Sequence, residues 1–366
     1  MQVVFFTADH EGCGFYRCLM PAVWLNRLGL AEAYCSHSFT HKGEQVQDYL
    51  SFHSKELLRI AEASVATPKT THDVLMTLSD VDVCVYQRQS NEFALAHMRT
   101  MKKAGKRVFI EHDDWLLGDI TSPMASRIFK DPRRREILEL MAYEADGLIV
   151  STEDLKSFFS AYNDNIHVCP NSIDLSLWKW QDKRAPASIG YAGSHCHNDD
   201  FKNIELAMWR TNKKYRLKFM NFIPDFLAGY EYINGVELEQ YPEALSGLFS
   251  IGIIPLKRND FNKAKSSIKF QEYTMAGIAT ISENWGPYQC IENEVTGLLV
   301  DGDWQEKIDW AMANPEEMEI LLKNAQKKVV EEYRIQDHAY KWASAFEDVL
   351  KPNMIIKGDS CLKNLS

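Results

Sequence analysis

The sequence lacks a long apolar run and an excess of positive charge. No stretch of its 366 residues approaches the ~20 consecutive apolar residues that a membrane-spanning helix needs. The VVFF run after Met1 is too short for the apolar part of a signal peptide. The formal net charge is −10, whereas general binding to nucleic-acid phosphates relies on positive charge. These absences predict a protein of the cytoplasm, without a membrane span, whose overall surface does not suit DNA or RNA.

Cysteine pairs of the CxxC kind are also missing, although the chain contains eight cysteines. Cys84 lies inside the apolar run VDVCVY, where a reduced thiol behaves as a small hydrophobic group. The adjacent His195, Cys196 and His197 are metal-ligand residue types. However, consecutive loop residues do not easily direct three donors at one ion, and no second cluster supplies the remaining ligands. We therefore predict reduced thiols and no metal site.

Basic residues are concentrated in two short segments, 102–107 and 133–135. Solvated helix faces and helix ends are the usual setting for such clusters. A local surface that binds nucleic acid is the alternative interpretation.

Short apolar runs alternate with longer segments of helical period, a pattern typical of parallel α/β units. The first series of predicted strands covers 3–7, 81–86, 107–111, 147–151 and 165–169. A connector at 178–188 precedes a second series, at 188–193, 216–221, 232–236, 250–256, 278–282 and 297–300. Residues 30–75 are polar and irregular, and their elements cannot be placed.

Two such series predict two doubly wound, Rossmann-like α/β domains that face each other across a ligand cleft. We place an N-terminal Rossmann-like domain at 1–177 and a second, C-terminal one at 178–335. The tail has helical period without strands, and we expect a last helix at 336–352 to pack back on the first domain.

The segment 255–300 carries the strongest functional pattern. A buried strand ends in a lysine-rich loop, and a helix is predicted to begin near Ser266. Lys265, Ser266, Lys269 and the free amides of the first helical turn would form an anion site. Glu272, further along the same helix, suits a pair of sugar hydroxyls. An exposed helix with an incidental lysine–glutamate pair is the alternative.

The run K-S-x-x-K-x-x-E-Y-x-x-x-G at 265–277, followed by a strand, G-P-Y and T-G-L-L-V, resembles the nucleotide-sugar segment of GT-B glycosyltransferases. It is most similar to the retaining family 4, also called group 1. The resemblance implies that Glu272 holds the ribose of the donor. It also implies that 1–177 is the acceptor-side domain and 178–335 the nucleotide-sugar donor domain. Many members have an earlier glutamate that contacts the sugar, and here that position is Ala264.

Loops after four other strands supply further candidates for donor binding and catalysis. Gly193 and Ser194 form a small-residue turn that would let a diphosphate approach the backbone. In GCGFYR, Gly12 and Gly14 form a tight turn and Arg17 begins a helix near the cleft. Position 17 would have to be glycine in a GxGxxG fingerprint, so an NAD-dependent dehydrogenase is disfavoured.

The remaining candidates follow the strands at 81–86 and 107–111. Arg88 could pair with a phosphate, and the resemblance implies that His112 or Asp113 contacts the transferred sugar. A capping or salt-bridge role is the alternative for each of them. Glu111 and His112 alternate in direction, so at most one of them should face the cleft.

The sequence as a whole thus predicts a glycosyltransferase that moves a sugar from a UDP- or GDP-sugar to a hydroxyl acceptor. Retention of configuration, and activity without a metal or other cofactor, are implied only by the resemblance. Lys265 and Lys269, together with Arg17 or Arg88, would stabilise the charge on the departing diphosphate, and this electrostatic effect should dominate catalysis. The acceptor could be a glycan, a small molecule or a hydroxymethylated DNA base. A non-catalytic nucleotide-binding module and a sugar-nucleotide epimerase of the same fold are the alternatives.

Overall fold

A computed structural model describes residues 1–9, 11–36, 81–178, 185–194, 197–238 and 240–350. Within these ranges the chain forms two six-stranded sheets, and every strand pairing in them is parallel. Parallel strands are covered by helices on both faces. This explains why β3 (Val83–Gln87) and β7 (Ile189–Ala192) are buried at every residue.

The first sheet has the order β2-β1-β3-β4-β5-β6 and the second has the order β12-β11-β10-β7-β8-β9. The other strands of the first sheet are β1 (Gln2–Phe6), β2 (Glu32–Ser36), β4 (Arg107–His112), β5 (Gly147–Val150) and β6 (Ile166–Val168). Those of the second are β8 (Leu217–Met220), β9 (Glu231–Ile233), β10 (Ile251–Ile254), β11 (Ala279–Glu283) and β12 (Leu298–Val300).

Thirteen α-helices of four or more residues accompany these strands in the described part of the chain. In the first half they are α1 (Met20–Arg27), α2 (Glu92–Lys103), α3 (Pro123–Phe129), α4 (Pro132–Glu144) and α5 (Glu153–Phe159). In the second half they are α6 (Asn198–Lys202), α7 (Glu205–Lys214), α8 (Tyr241–Leu245), α9 (Asp260–Lys263), α10 (Ile268–Met275), α11 (Trp304–Ala313), α12 (Pro315–Glu332) and α13 (Ile335–Leu350). Among them, no helix is both long and apolar enough to cross a membrane.

Local chemistry sets several helix ends. The Asn91 side chain accepts a hydrogen bond from Ala94 N at the start of α2, and Thr152 accepts one from Leu155 N at the start of α5. Gly277 follows α10 with φ +77°, a left-handed conformation that glycine adopts without steric cost.

Each sheet reverses its strand order once, and these reversals locate the ligand crevices. The reversal lies between β1 and β3 in the first sheet and between β7 and β10 in the second. In open parallel sheets, ligands bind at the carboxyl ends of the strands beside such a reversal. The loops after these four strands are therefore the places to look for a site.

The C-terminal helix α13 packs on the first sheet, as predicted. Trp342 and Phe346 are fully buried, and their rings lie 5.6 and 6.1 Å from the ring of Phe5 in β1. Ile335, at the start of α13, packs with Tyr16 and Met20. The chain thus returns to its first domain after completing the second sheet. The exact domain limits at 177 and 335 stay a prediction.

The two parallel sheets confirm the predicted fold class, with differences of one to three residues at most strand ends. Strand β2 was not placed from the sequence, because it begins a polar, irregular stretch whose remainder lies outside the described residues. The helix expected near Ser266 begins at Ile268, because residues 260–263 form a short helix of their own just before it.

Candidate active site

A tight loop at the carboxyl end of β1 forms the first-domain side of the candidate site. Asp9 Oδ1 accepts hydrogen bonds from Glu11 N (3.0 Å) and Gly14 N (2.9 Å). A Cβ at Gly14 would lie 2.1 Å from the backbone oxygen of Asp9, so only glycine fits there. A Cβ at Gly12 would meet nothing within 4 Å. The turn after β1 therefore requires Gly14 for steric reasons and tolerates other residues at position 12.

Arg88 follows β3 with φ 50°, a left-handed conformation that is uncommon for a residue with a side chain. Its Nη1 contacts Cys13 Sγ at 2.9 Å and Asp113 Oδ1 at 3.2 Å, and it lies 3.9 Å from Asp114 Oδ2. Lys265 Nζ reaches Asp114 Oδ1 at 3.2 Å from the second domain. Arg88, predicted to bind the donor, thus contacts the loop after β1 through Cys13. Asp114 connects it to Lys265 of the second domain.

His112 ends β4 and is fully buried, with its ring stacked on Phe159 at 4.6 Å. Neither ring nitrogen has a hydrogen-bond partner among the residues that the structure describes. Burial, helped by the positive charge of Arg88, lowers the pKa of His112 to about 3. The imidazole is therefore neutral near pH 7. For Asp113, burial opposes ionisation, but Arg88 and Arg17 together lower the pKa of this carboxyl.

Arg17 lies in a different environment from the one predicted. The residue is fully buried, and its Nε donates to Glu111 Oε1 at 2.6 Å. Its Nη1 donates to Cys169 O (2.5 Å) and to Asn171 Oδ1 (2.9 Å), and its guanidinium lies 5.1 Å from the ring centroid of Trp342. These contacts correct the expectation that Arg17 faces the donor: its charge is used inside the first domain. They also account for Glu111, which points inward to this arginine.

In the second domain, the predicted donor residues converge around the carboxyl end of β7 and the start of α10. Lys269 is buried, donates to Ala192 O at 2.5 Å and lies 4.6 Å from the ring centroid of Tyr191. Gly193 follows this strand directly, and a Cβ there would meet the Tyr191 ring at 2.7 Å. Ser194 follows in the same turn. Lys269 is thus held at the second-domain crevice, whereas Lys265 points to the first domain.

Two hydrogen bonds link α10 and the residues just before it to residues far away in the sequence. Asn171 Nδ2 donates to Ser266 Oγ at 2.8 Å. The hydroxyl of Tyr16 donates to Glu272 Oε1 at 2.8 Å, and both residues are buried. Burial raises the pKa of Glu272, while Lys269 and the bond from Tyr16 lower it. Glu272, predicted to bind the ribose, is therefore shielded from solvent and contacted directly by Tyr16 of the first domain.

Sequence reasoning missed Tyr16 and Asn171. Both stand inside segments that attracted attention for other reasons, GCGFYR and the CPNS stretch that ends the first strand series. Their only sequence signal is their position just after a glycine turn or a strand. That position does not reveal a partner 256 residues away for Tyr16 or 95 residues away for Asn171.

The position of the missing glutamate is occupied by a small buried residue. Ala264 is fully buried in the core cluster of the first domain together with Phe261, and its backbone oxygen accepts a hydrogen bond from Thr152 Oγ1 at 2.9 Å. Short helix α9 and the residue after it therefore dock into the first domain. A glutamate side chain at position 264 would displace this contact.

Three adjacent residues of metal-ligand type, 195–197, follow the Gly193 turn. His195 and Cys196 lie outside the described residues, and His197 Nδ1 contacts Asp200 Oδ2 at 2.9 Å. Within the described ranges, no group of three or more His, Cys, Asp or Glu residues is arranged to hold a metal ion. The six cysteines in those ranges carry reduced thiols.

Comparison by sequence finds no matching family and no matching curated protein. Comparison of structures does find matches. Sucrose-phosphate synthase from Thermosynechococcus elongatus superposes with a TM-score of 0.68 at 13% identity, over 95% of this chain and 99% of that one. HepE from Anabaena in complex with UDP-glucose gives 0.67 at 13% identity, over 95% and 100%. A glycosyltransferase from Rickettsia africae gives 0.61 at 11% identity, over 96% and 98%. This chain has the GT-B fold of these glycosyltransferase structures.

Proposed function

We propose that the protein is a glycosyltransferase that moves a sugar from a nucleoside-diphosphate sugar to a hydroxyl acceptor. One observation carries the proposal. In a GT-B fold, Glu272, Lys269 and the Gly193 turn meet at the strand-order reversal of the second sheet, opposite the glycine loop of the first. Because one fold can host many functions, these residues support the proposal as much as the fold does.

The diphosphate is assigned to the start of α10 and the loops next to it. Lys265, Ser266 and Lys269 supply cationic and hydroxyl donors, and the first amides of α10 are not used by the helix itself. The Gly193 turn leaves room for a phosphate to approach the backbone. Fixed positive groups stabilise negative charge that develops on a leaving diphosphate, which is usually the largest contribution to catalysis of this kind.

The ribose is assigned to Glu272 and the transferred sugar to the carboxyl end of β4. A carboxylate accepts two hydroxyl protons at once. His112 is neutral because burial lowers its pKa to about 3. We therefore assign it hydrogen bonding to a sugar hydroxyl and not a charged role. Asp113, held next to Arg88, is ionised and completes the sugar side.

UDP is the proposed nucleotide, and retention of configuration without a metal the proposed chemistry. Support for UDP is the similarity to HepE, whose structure contains UDP-glucose. Retention and metal independence are supported only by the resemblance of the 265–277 segment to retaining family 4 enzymes. Mass spectrometry and NMR of the product formed with excess chelator would test both statements.

For the acceptor we propose a glycan or a small hydroxyl compound and not a DNA base. Three of the seven basic residues in the segments 102–107 and 133–135 form ion pairs with carboxylates of the same domain. Lys102 and Arg107 lie 3.3 and 3.7 Å from Asp146, and Arg133 contacts Glu92 and Glu136. These carboxylates neutralise positive charge that a phosphate backbone would need. A salt-sensitive mobility shift with hydroxymethylated DNA would contradict this part of the proposal.

The first test is thermal stabilisation by UDP, GDP, ADP, dTDP and NAD. A ligand at a hundred times its dissociation constant stabilises by about 2.7 kcal/mol, which is visible as a shift in melting temperature. We expect a shift with UDP. A shift with NAD alone, or none with any of the five, would contradict the proposed function.

Variants then test the assigned cations. Lys269→Met and Lys265→Glu should each lower turnover at least tenfold while the protein stays folded. Lys218→Met is the matched control for Lys269, because Lys218 also donates to a backbone oxygen of the second domain, that of Leu248 at 2.7 Å. Full turnover in a folded Lys269→Met variant would refute the role of this lysine.

Two alternatives give different products. A non-catalytic binding module would bind the nucleotide without hydrolysing or transferring the sugar. An epimerase would release an isomerised sugar in the absence of any acceptor. Incubation of the protein with UDP-glucose, followed by chromatography of the products with and without acceptors, distinguishes both from transfer.

A further inference from the structure

Glu272 is contacted by phenols from both domains. The Tyr16 hydroxyl donates to Glu272 Oε1 at 2.8 Å, and the Tyr241 hydroxyl also interacts with this carboxylate. Trp178 completes the aromatic surroundings, with its ring 5.9 Å from that of Tyr241 and its indole next to the Tyr16 hydroxyl. Tyr241 and Glu272 belong to the second half of the chain, so Tyr16 is the contribution from the first sheet's side of the cleft.

Tyr16 is held in place by its own domain. It lies in the π-helical segment Phe15–Leu19, directly after the glycine loop, and its ring packs edge-on against Phe15 at 5.1 Å. It is 7% exposed, as is Glu272, so water does not compete strongly for the bond between them. Segments of π-helix are rare and frequently occur at functional sites.

A carboxylate has about four positions at which its oxygens accept hydrogen bonds. The two phenols use part of this capacity and fix the plane of the carboxylate, and the remainder is available to a pair of ribose hydroxyls. Two hydroxyls on adjacent carbons need a carboxylate in one particular orientation. The group that sets this orientation therefore influences how well the site distinguishes ribose from a sugar without those hydroxyls.

We propose that Tyr16 is a positioning residue for the donor ribose: its hydrogen bond orients Glu272 across the cleft, so that ribose selectivity in the second domain depends on the first. This inference rests on the proposed function and extends it to a residue outside the 265–277 segment. It requires that the two domains stand in the arrangement described above when the donor binds.

The test compares UDP with 2′,3′-dideoxy-UDP, which lacks both hydroxyls, by isothermal titration calorimetry. We expect wild-type protein to prefer UDP. In Tyr16→Phe the preference should fall by about tenfold, the effect of one hydrogen bond to a charged group. Affinity for the dideoxy compound should change by less than about twofold. In turnover assays, KM for UDP-sugar should rise while kcat changes little, because a ribose contact is remote from the reacting bond.

A purely structural role for Tyr16 would give a different result. Both nucleotides would then weaken by the same factor, and the selectivity ratio would stay at its wild-type value, which would overturn the proposal. Tyr34→Phe is the matched control. Its hydroxyl also donates to a carboxylate, that of Glu32, but within the edge strand β2 of the first sheet. We expect Tyr34→Phe to retain the wild-type ratio.

A double-mutant cycle separates this inference from the proposed function. Glu272→Gln should remove most of the ribose preference, and adding Tyr16→Phe to it should have no further effect on the ratio. If wild-type protein binds UDP with a clear ribose preference that Tyr16→Phe leaves intact, only the inference fails. If wild-type protein binds no nucleoside diphosphate, the proposed function fails and the inference fails with it.

Discussion

An Arg17→Met variant tests whether this guanidinium is structural or binds the donor. Arg17 and Glu111 are both fully buried and form an ion pair at 2.6 Å. Removal of one member of a buried pair leaves an uncompensated charge, which costs about 3–5 kcal/mol. We therefore expect the free energy of unfolding to fall by about that amount. A residue that served only the donor would change KM instead.

The contacts of Arg17 support the upper part of this range. Besides Glu111, its guanidinium donates to Cys169 O at 2.5 Å and to Asn171 Oδ1 at 2.9 Å. The variant thus deprives three acceptors of their donor. Methionine fills much of the same space, so a cavity contributes little. At about 2–4 °C per kcal/mol, the melting temperature should drop by roughly 6–20 °C.

The loss of stability in Arg17→Met should also depend on pH, and the raised pKa of Glu111 determines the direction of this dependence. Burial raises the pKa of Glu111 to about 7, although Arg17 lowers it. An unfolded chain releases this proton near pH 4.5, so the contribution of Glu111 to stability declines as pH rises from 4.5 through 7. Without Arg17 the folded-state pKa rises further. The stability gap to wild type should therefore widen above pH 7 by up to about 1.4 kcal/mol per pH unit.

Urea denaturation at pH 6, 7 and 8 measures both effects. The double variant Arg17→Met/Glu111→Leu is the control, because replacement of a buried ion pair by apolar residues is often neutral. It should regain most of the lost stability. If Arg17→Met is as stable as wild type but binds UDP poorly, Arg17 reaches the donor and the structural role assigned to it is refuted.

Three further predictions concern His112, Gly14 and Ala264. Because burial lowers the pKa of His112 to about 3, only the unfolded chain protonates this imidazole as the pH falls below 6.5. The stability advantage of wild type over His112→Gln should therefore shrink by about 1.4 kcal/mol per pH unit between pH 6 and 4. A difference in urea denaturation that stays constant with pH would contradict this. Gly14→Ala should weaken UDP binding at least tenfold in calorimetry, because the new Cβ would lie 2.1 Å from Asp9 O. Gly302→Ala is the control and should bind UDP normally, because a Cβ at Gly302 meets nothing within 4 Å. Ala264→Glu introduces the glutamate that many retaining family 4 enzymes have at this position, but it buries a carboxylate in an apolar contact. Melting temperature and turnover should therefore both fall, and a gain in turnover would refute this placement.

Much of the fold could be predicted from the sequence because parallel strands that are buried on both faces form continuous apolar runs. Strands β3, β5 and β10 are such runs, and each is buried at every residue. Strand β2 escaped notice because its EAYCS segment carries a charged residue at one end and a polar residue at the other. The packing of α13 on the first domain was expected from the helical period of a tail without strands, and Trp342 and Phe346 make this contact with β1.

The candidate site was predictable in its location and less so in its contacts. Strand ends mark where side chains such as Arg88 and His112 emerge, so their positions follow from the strand pattern. The partner of each side chain does not follow, because it depends on how two elements distant in sequence are arranged. Arg17 illustrates this: its place after a glycine turn suggested a phosphate, while the inward-pointing Glu111 on β4 neutralises it.

Two adjacent residues of the π-helical segment Phe15–Leu19 connect the interior of the first domain to α10 and the residues just before it. Arg17 points inward and donates to Asn171, and Asn171 in turn donates to Ser266, two residues before α10 begins. Tyr16 points outward and donates to Glu272 on the same helix. Groups that Phe15–Leu19 positions thus contact both the segment just before α10 and the middle of α10. Because hydrogen bonds require particular distances and angles, these contacts specify one arrangement of the two domains more narrowly than apolar packing would.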